Sequence, residues 1–170
     1  YSPKSDVVNM TYIEKNPAVL SHELGHRHYF REKDASKIGK FAHKMYTPSV
    51  FLGPIAGTVA GYQLGKRKAD LENSGKKEGT LSRYGAPLAS LAATSPVLAS
   101  EAAASVRGMK LLKKAGASPK LLKKSKGTLR DAFLTYGGMA VLSAAGAQGM
   151  KEFEYRKRLK QLKSKPNNNQ

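Results

Sequence analysis

Cysteine and tryptophan are absent from this 170-residue chain. Without cysteine there is no disulfide and no thiolate metal site, so any metal must be bound through nitrogen and oxygen, and the redox compartment is left open. Acidic residues are scarce, with 12 Asp and Glu against 30 Lys and Arg, a formal charge of +18. Such a surface attracts anions but does not dictate a fold. Period-two alternation is almost missing, and only residues 7–13 suggest a strand. The expectation is a mainly α protein, a compact helical bundle with at most one short edge strand near its N-terminus. No glycine-rich phosphate loop leads into a helix, because Gly75 and Gly79 flank Lys76, Lys77 and Glu78 in a polar linker. No signal peptide is visible and the chain opens on Tyr1, which reads as a processed product or a piece of something longer.

What is present begins with His22-Glu23-Leu24-Gly25-His26, an HExxH sequence. On a helix this spacing stacks two imidazoles on one face, one turn apart, able to occupy adjacent corners of a zinc tetrahedron. Glu23, one residue off that stripe, is placed to accept a proton from water activated at the metal. The chain therefore reads first as a zinc-dependent hydrolase. Pro17 and Ser21 suit the start of a helix, and Val19, Leu20, Leu24 and Gly25 give the uncharged surroundings such a motif prefers. Arg27 departs from that preference, and the plain alternative is a surface helix with solvated His and Glu.

A catalytic site needs a third protein ligand and one open position. The long metzincin pattern would require Gly at position 29 and His at position 32, where the chain has Tyr29 and Glu32. His28 is two residues from His26 and points to another side of the helix. His43 and Glu32 remain open but lack a patterned context. Glu101 is the stronger candidate, the one acid in a small and uncharged helical stretch from Leu98 to Ser105. Burying a lone carboxylate is costly, and a metal ion is one of the few partners that offsets the cost.

HExxH followed at long range by the Glu-x-x-Ala-Ser of Glu101, Ala104 and Ser105 resembles the neutral zinc metallopeptidases of the YugP-like membrane family. Tyr1, Ser2 and Pro3, with Val8 and Met10, are similar to the Tyr-x-Pro stretch that precedes the zinc helix there. Leu111, Leu112 and Gly116 resemble the end of the third-ligand helix, and Leu129, Ala132, Thr135 and Tyr136 resemble a closing helix. The resemblance runs from residue 1 to about residue 150. It implies a gluzincin-type peptidase with His22, His26 and Glu101 as zinc ligands and Glu23 as general base. A second donor for the developing oxyanion would be Tyr136, with His28 or His43 as alternatives and a packed core ring as the plainer role for Tyr136. The substrate would be a protein or peptide of unspecified sequence.

Three stretches carry little or no charge: residues 47–65, residues 84–106 with only Glu101, and residues 132–150. Their lengths approach what a bilayer requires, yet they are rich in Ala and Gly, so tight helix packing is signalled before lipid. Gly53, Gly57 and Gly61 recur every fourth residue, which permits close helix contact. Under a three-span arrangement the basic segments fall on both sides, so charge gives no orientation. One domain over residues 1–150 is expected, with 66–83 and 107–130 as basic connections, followed by a basic helix and frayed tail over 151–170.

Residues 107–130 hold nine basic and no acidic groups. Within them Leu111-Leu112-Lys113-Lys114 and Leu121-Leu122-Lys123-Lys124 read as two amphipathic helix ends. Lys113, Lys114, Lys123 and Lys124 suit contact with an anionic membrane surface or with nucleic-acid phosphates, and equally a solvated face. No aromatic residue interleaves with them, so base stacking has no support. The second reading of the whole chain is accordingly non-enzymatic: a catalytically silent basic helical protein, a structural component of a membrane or of the interior of a nucleoprotein or viral assembly.

Overall fold

Asn16 caps the first helix. Its Oδ1 accepts the Ala18 N–H at 3.1 Å, and Pro17 fills the first helical position, where a missing N–H costs nothing. Ser21, suggested by sequence as the lead-in, lies inside the helix with its hydroxyl donating to the Ala18 carbonyl at 2.8 Å. The computed structural model of the protein describes residues 16–31 and 37–164. They form four helices, α1 (Pro17–Arg31), α2 (Lys37–Asn73), α3 (Thr80–Lys114) and α4 (Pro119–Lys163), with no strand among the described residues. The fold is mainly α, a helical bundle. Residues 7–13, where a strand was expected, lie outside the described residues, as do Tyr1, Ser2, Pro3, Glu32 and the tail from residue 165.

The connections between the long helices are short and closed by glycine. Gly75 and Gly116 adopt φ of 69° and 76°, which a side chain disfavours. Around Gly116 the Ala117 N–H donates to the Leu112 carbonyl at 3.1 Å, and around Gly75 the Lys76 N–H donates to Leu71 at 2.8 Å. These are the bonds of a left-handed C-terminal cap. Ser118 then starts α4, accepting the Leu121 N–H at 3.3 Å ahead of Pro119. The basic segments expected to be connections are largely helical, α2 running on to Asn73 and α4 starting at Pro119. Lys, Leu and Arg are good helix formers, and only Gly and Pro break the run.

The chain forms two units, Tyr1–Pro48 with Pro96–Gly138, and Ser49–Ser95 with Met139–Gln170. In the first, α1 meets α3 where Ser21 and Gly25 approach Gly108 and Ala104 and where His22 and His26 approach Glu101. Two glycines set the closeness of this pairing. A Cβ on Gly25 would collide with the Ala104 carbonyl, and one on Gly108 would lie 2.7 Å from the Ser21 carbonyl oxygen. Backbone therefore packs on backbone, and the residues flanking these glycines are carried into contact.

The second unit packs in the same manner with smaller side chains still. Its buried apolar residues are Ala69, Ala86, Ala140, Ala144 and Ala147. Gly53, Gly57, Gly61 and Gly65 line one face of α2, and a Cβ on Gly57 would stand 2.7 Å from Ser90 Cβ and 2.9 Å from Ala147 Cβ. Ser90 and Ser143 share a hydrogen bond of 2.7 Å. Lys151 is wholly buried, its ammonium 2.6 Å from Glu78 Oε1 and donating to the Arg83 carbonyl at 3.0 Å. Larger apolar side chains, among them Phe51, Ile55, Val59, Leu88, Val141 and Leu142, are exposed. Among the described residues no helix is long and apolar enough to cross a membrane.

Candidate metal centre

His22 and His26 project from one face of α1, their rings meeting edge to face at 4.7 Å between centroids. The Gly25–Ala104 contact sets this face against α3, and Glu101 reaches it from one turn before Ala104. His22 Nε2 lies 3.0 Å from Glu101 Oε2 and His26 Nε2 lies 3.6 Å from Glu101 Oε1. Zinc bonds of about 2.0–2.1 Å to nitrogen and oxygen imply ligand atoms about 3.3 Å apart in a tetrahedron. The two separations, one to each carboxylate oxygen, bracket that value. All three donor atoms lie within 4.8 Å of one another, and His22, His26 and Glu101 can hold a metal ion. Two neutral imidazoles and a carboxylate form a hard-to-borderline donor set, and the Glu101 side chain is only 3 % exposed, so the residues present fit a metal.

Two further side chains fix the orientation of these groups. The Tyr46 hydroxyl, from α2, donates to Glu101 Oε1 at 2.6 Å, and its ring meets His26 at 6.1 Å between centroids. Ser105, one turn after Glu101, has its hydroxyl 3.2 Å from His22 Nδ1. With the His22 proton on Nε2 and given to Glu101, Nδ1 accepts from Ser105. With Nε2 on a metal the proton moves to Nδ1 and Ser105 Oγ accepts it, so the serine serves either tautomer.

The electrostatics follow from burial and these partners. Burial pushes the Glu101 carboxyl up, but His22, His26 and Tyr46 outweigh it and hold the group well below the usual carboxylate range. It is an anion at neutral pH. Tyr46 is driven far above the ordinary phenol value, by burial first and then by the bond to Glu101. Tyr136, from α4, is raised by burial and by the charges of Glu101 and Glu23. Both phenols keep their protons and remain donors.

The residues singled out by sequence thus divide. His22, His26 and Glu101 are brought together, Tyr136 is close enough for the charge of Glu101 to act on it, and Glu23 is half-buried on α1 and acts on Tyr136 in the same way. The side chains of His28, Tyr29 and His43 lie outside the described residues. Lys113, Lys114, Lys123 and Lys124 are exposed at the end of α3 and the start of α4. Tyr46 was not anticipated, since a bare tyrosine ahead of an uncharged stretch carries no pattern pointing to a carboxylate 55 positions away. No protein-family model matches the chain, and no curated protein or solved structure does.

Proposed function

We propose that this protein is a zinc-dependent metallopeptidase of the YugP-like kind, associated with a membrane surface. The observation that carries the reading is the meeting of His22, His26 and Glu101, buried or half-buried, from positions 79 residues apart in the HExxH-to-Glu pairing. A zinc ion held by His22, His26 and Glu101 would supply a Lewis acid and would lower the pKa of a bound water. Glu23 is the group beside the ligands that takes a proton from the attacking water and returns it to the leaving amine. Tyr136, kept protonated by its surroundings, is the donor available to the developing oxyanion. Exposed apolar side chains such as Phe51 and Leu142, together with the +18 charge, support association with an anionic membrane surface.

Elemental mass spectrometry of the purified protein tests the reading. The expected result is about one zinc per chain, as a single His2Glu site requires, lost in His22→Ala and Glu101→Ala. Glu23→Gln should keep the metal and lose hydrolysis of a casein or peptide-library substrate. Absence of zinc after supplementation overturns the proposal. The exposed Lys113, Lys114, Lys123 and Lys124 favour the second reading, a catalytically silent component that contacts nucleic acid or lipid. Under that reading, binding to DNA or anionic vesicles weakens steeply with salt and Glu23→Gln changes nothing.

A further inference from the structure

We infer that Tyr46 is a positioning residue of the metal centre, which holds Glu101 Oε1 and so leaves Oε2 as the single ligating oxygen. The inference rests on the metal reading above. A carboxylate offers a metal either one oxygen or both, and the choice decides what is left over. Two imidazoles and one oxygen leave a tetrahedral ion with an open position, whereas two imidazoles and two oxygens fill it. A hydrogen bond to the second oxygen favours the one-oxygen arrangement.

The two oxygens of Glu101 have different neighbours. Oε2 lies 3.0 Å from His22 Nε2, the atom that would share the metal with it, and Oε1 lies farther from its own imidazole neighbour, 3.6 Å from His26 Nε2. Oε1 accepts the Tyr46 hydroxyl at 2.6 Å, in the range of a charge-assisted bond between a hydroxyl and an anionic oxygen. The Tyr46 proton is committed to that bond. Tyr46 comes from α2 and Glu101 from α3, so the carboxylate is oriented by a group outside its own helix. Its ring also packs edge-on to His26, which a phenylalanine would preserve.

Tyr46→Phe removes the hydroxyl and keeps the ring. The expected result is roughly 10–100-fold weaker binding of zinc and of cobalt(II), as for other lost supporting hydrogen bonds. The visible spectrum of the cobalt(II) form should change in band position and intensity, and azide, which needs an open position, should perturb it less than in the parent. Zinc-edge X-ray absorption on the loaded parent protein reads the carboxylate directly and needs no variant to fold: one zinc–oxygen contact from Glu101 is expected. A chelating carboxylate in the parent, or a Tyr46→Phe protein with parental affinity and parental cobalt spectrum, overturns the inference. Failure of the metal reading looks different, because then the parent itself takes up neither zinc nor cobalt.

Discussion

Gly25 of α1 rests directly against the backbone of Ala104 of α3, with no room for a side chain between them. The residue after Gly25 is His26, and the residue one turn before Ala104 is Glu101. A packing contact and a candidate metal site are therefore one structural event. If α1 moves away from α3 by the width of a methyl group, the ligands separate although none has been changed.

Gly25→Ala should lower stability by about 1–3 kcal/mol, the usual cost of overpacking a close contact, and Gly25→Val by more. Both should reduce zinc content despite intact His22, His26 and Glu101. Thermal melts followed by circular dichroism, beside metal analysis of the same samples, check this. A Gly25→Val protein with full zinc would show that the helix contact does not govern the site.

Removing metal should lower the melting temperature. A ligand at 100 times its Kd stabilises by about 2.7 kcal/mol, and a protein of this size shifts by on the order of 2–4 °C per kcal/mol. Treatment with a chelator should produce that drop in the parent and none in Glu101→Ala. Equal melting of the parent with and without chelator would argue against an occupied site.

Glu78 and Lys151 provide a pH-dependent element in the second unit. Burial raises the Glu78 carboxyl, but the bonds from Lys151 and Ser82 and the charge of Lys68 lower it below its ordinary value of 4.5. A carboxylate depressed on folding stabilises the protein fully above its unfolded value and ceases to do so as pH falls through the folded one. The parent should therefore lose stability as pH drops below about 4.5. Glu78→Gln should flatten that part of the curve and cost about 3–5 kcal/mol at neutral pH, because the buried Lys151 ammonium loses its counter-charge. Denaturant titrations from pH 3 to 7 measure both.

Ile55 and Val59 lie on the exposed side of the helix whose other face carries Gly57 and Gly61. Replacing both with serine should leave stability within about 0.5 kcal/mol each, as for surface positions, yet reduce co-sedimentation with vesicles containing anionic lipid. Gly57→Val should do the reverse, destabilising the fold while keeping the apolar exterior. Unchanged vesicle binding in the serine variant would remove those two side chains from the membrane-contact surface.

Much of the site was legible from residue type and spacing. HExxH marked His22 and His26, and a lone acid among alanines and serines marked Glu101, because an unpartnered carboxylate in such a setting is costly. The four-residue glycine spacing foretold close packing, and Gly65 extends the series. What escaped was long-range or local in a way composition hides. Tyr46 meets Glu101 only through the pairing of two helices. Asn16 outcompetes Ser21 as a cap because it directly precedes a proline suited to the first helical turn. The lysine-rich segments looked like linkers by charge, but charge does not break helices.

Apart from Lys151 and Glu154, the second unit buries alanine, serine and glycine, and its larger apolar groups face outward. Ordinary protein interiors are most vulnerable to truncation, since deleting a large side chain leaves a void. Here there is little to truncate. The vulnerable direction is enlargement, at Gly57, Ser90, Ala144 and Ala147 alike, while the bulky exterior positions are open to exchange. Evolutionary drift in this unit would therefore hold its smallest residues fixed and let its largest ones vary, an inversion of the pattern by which a core is ordinarily recognised.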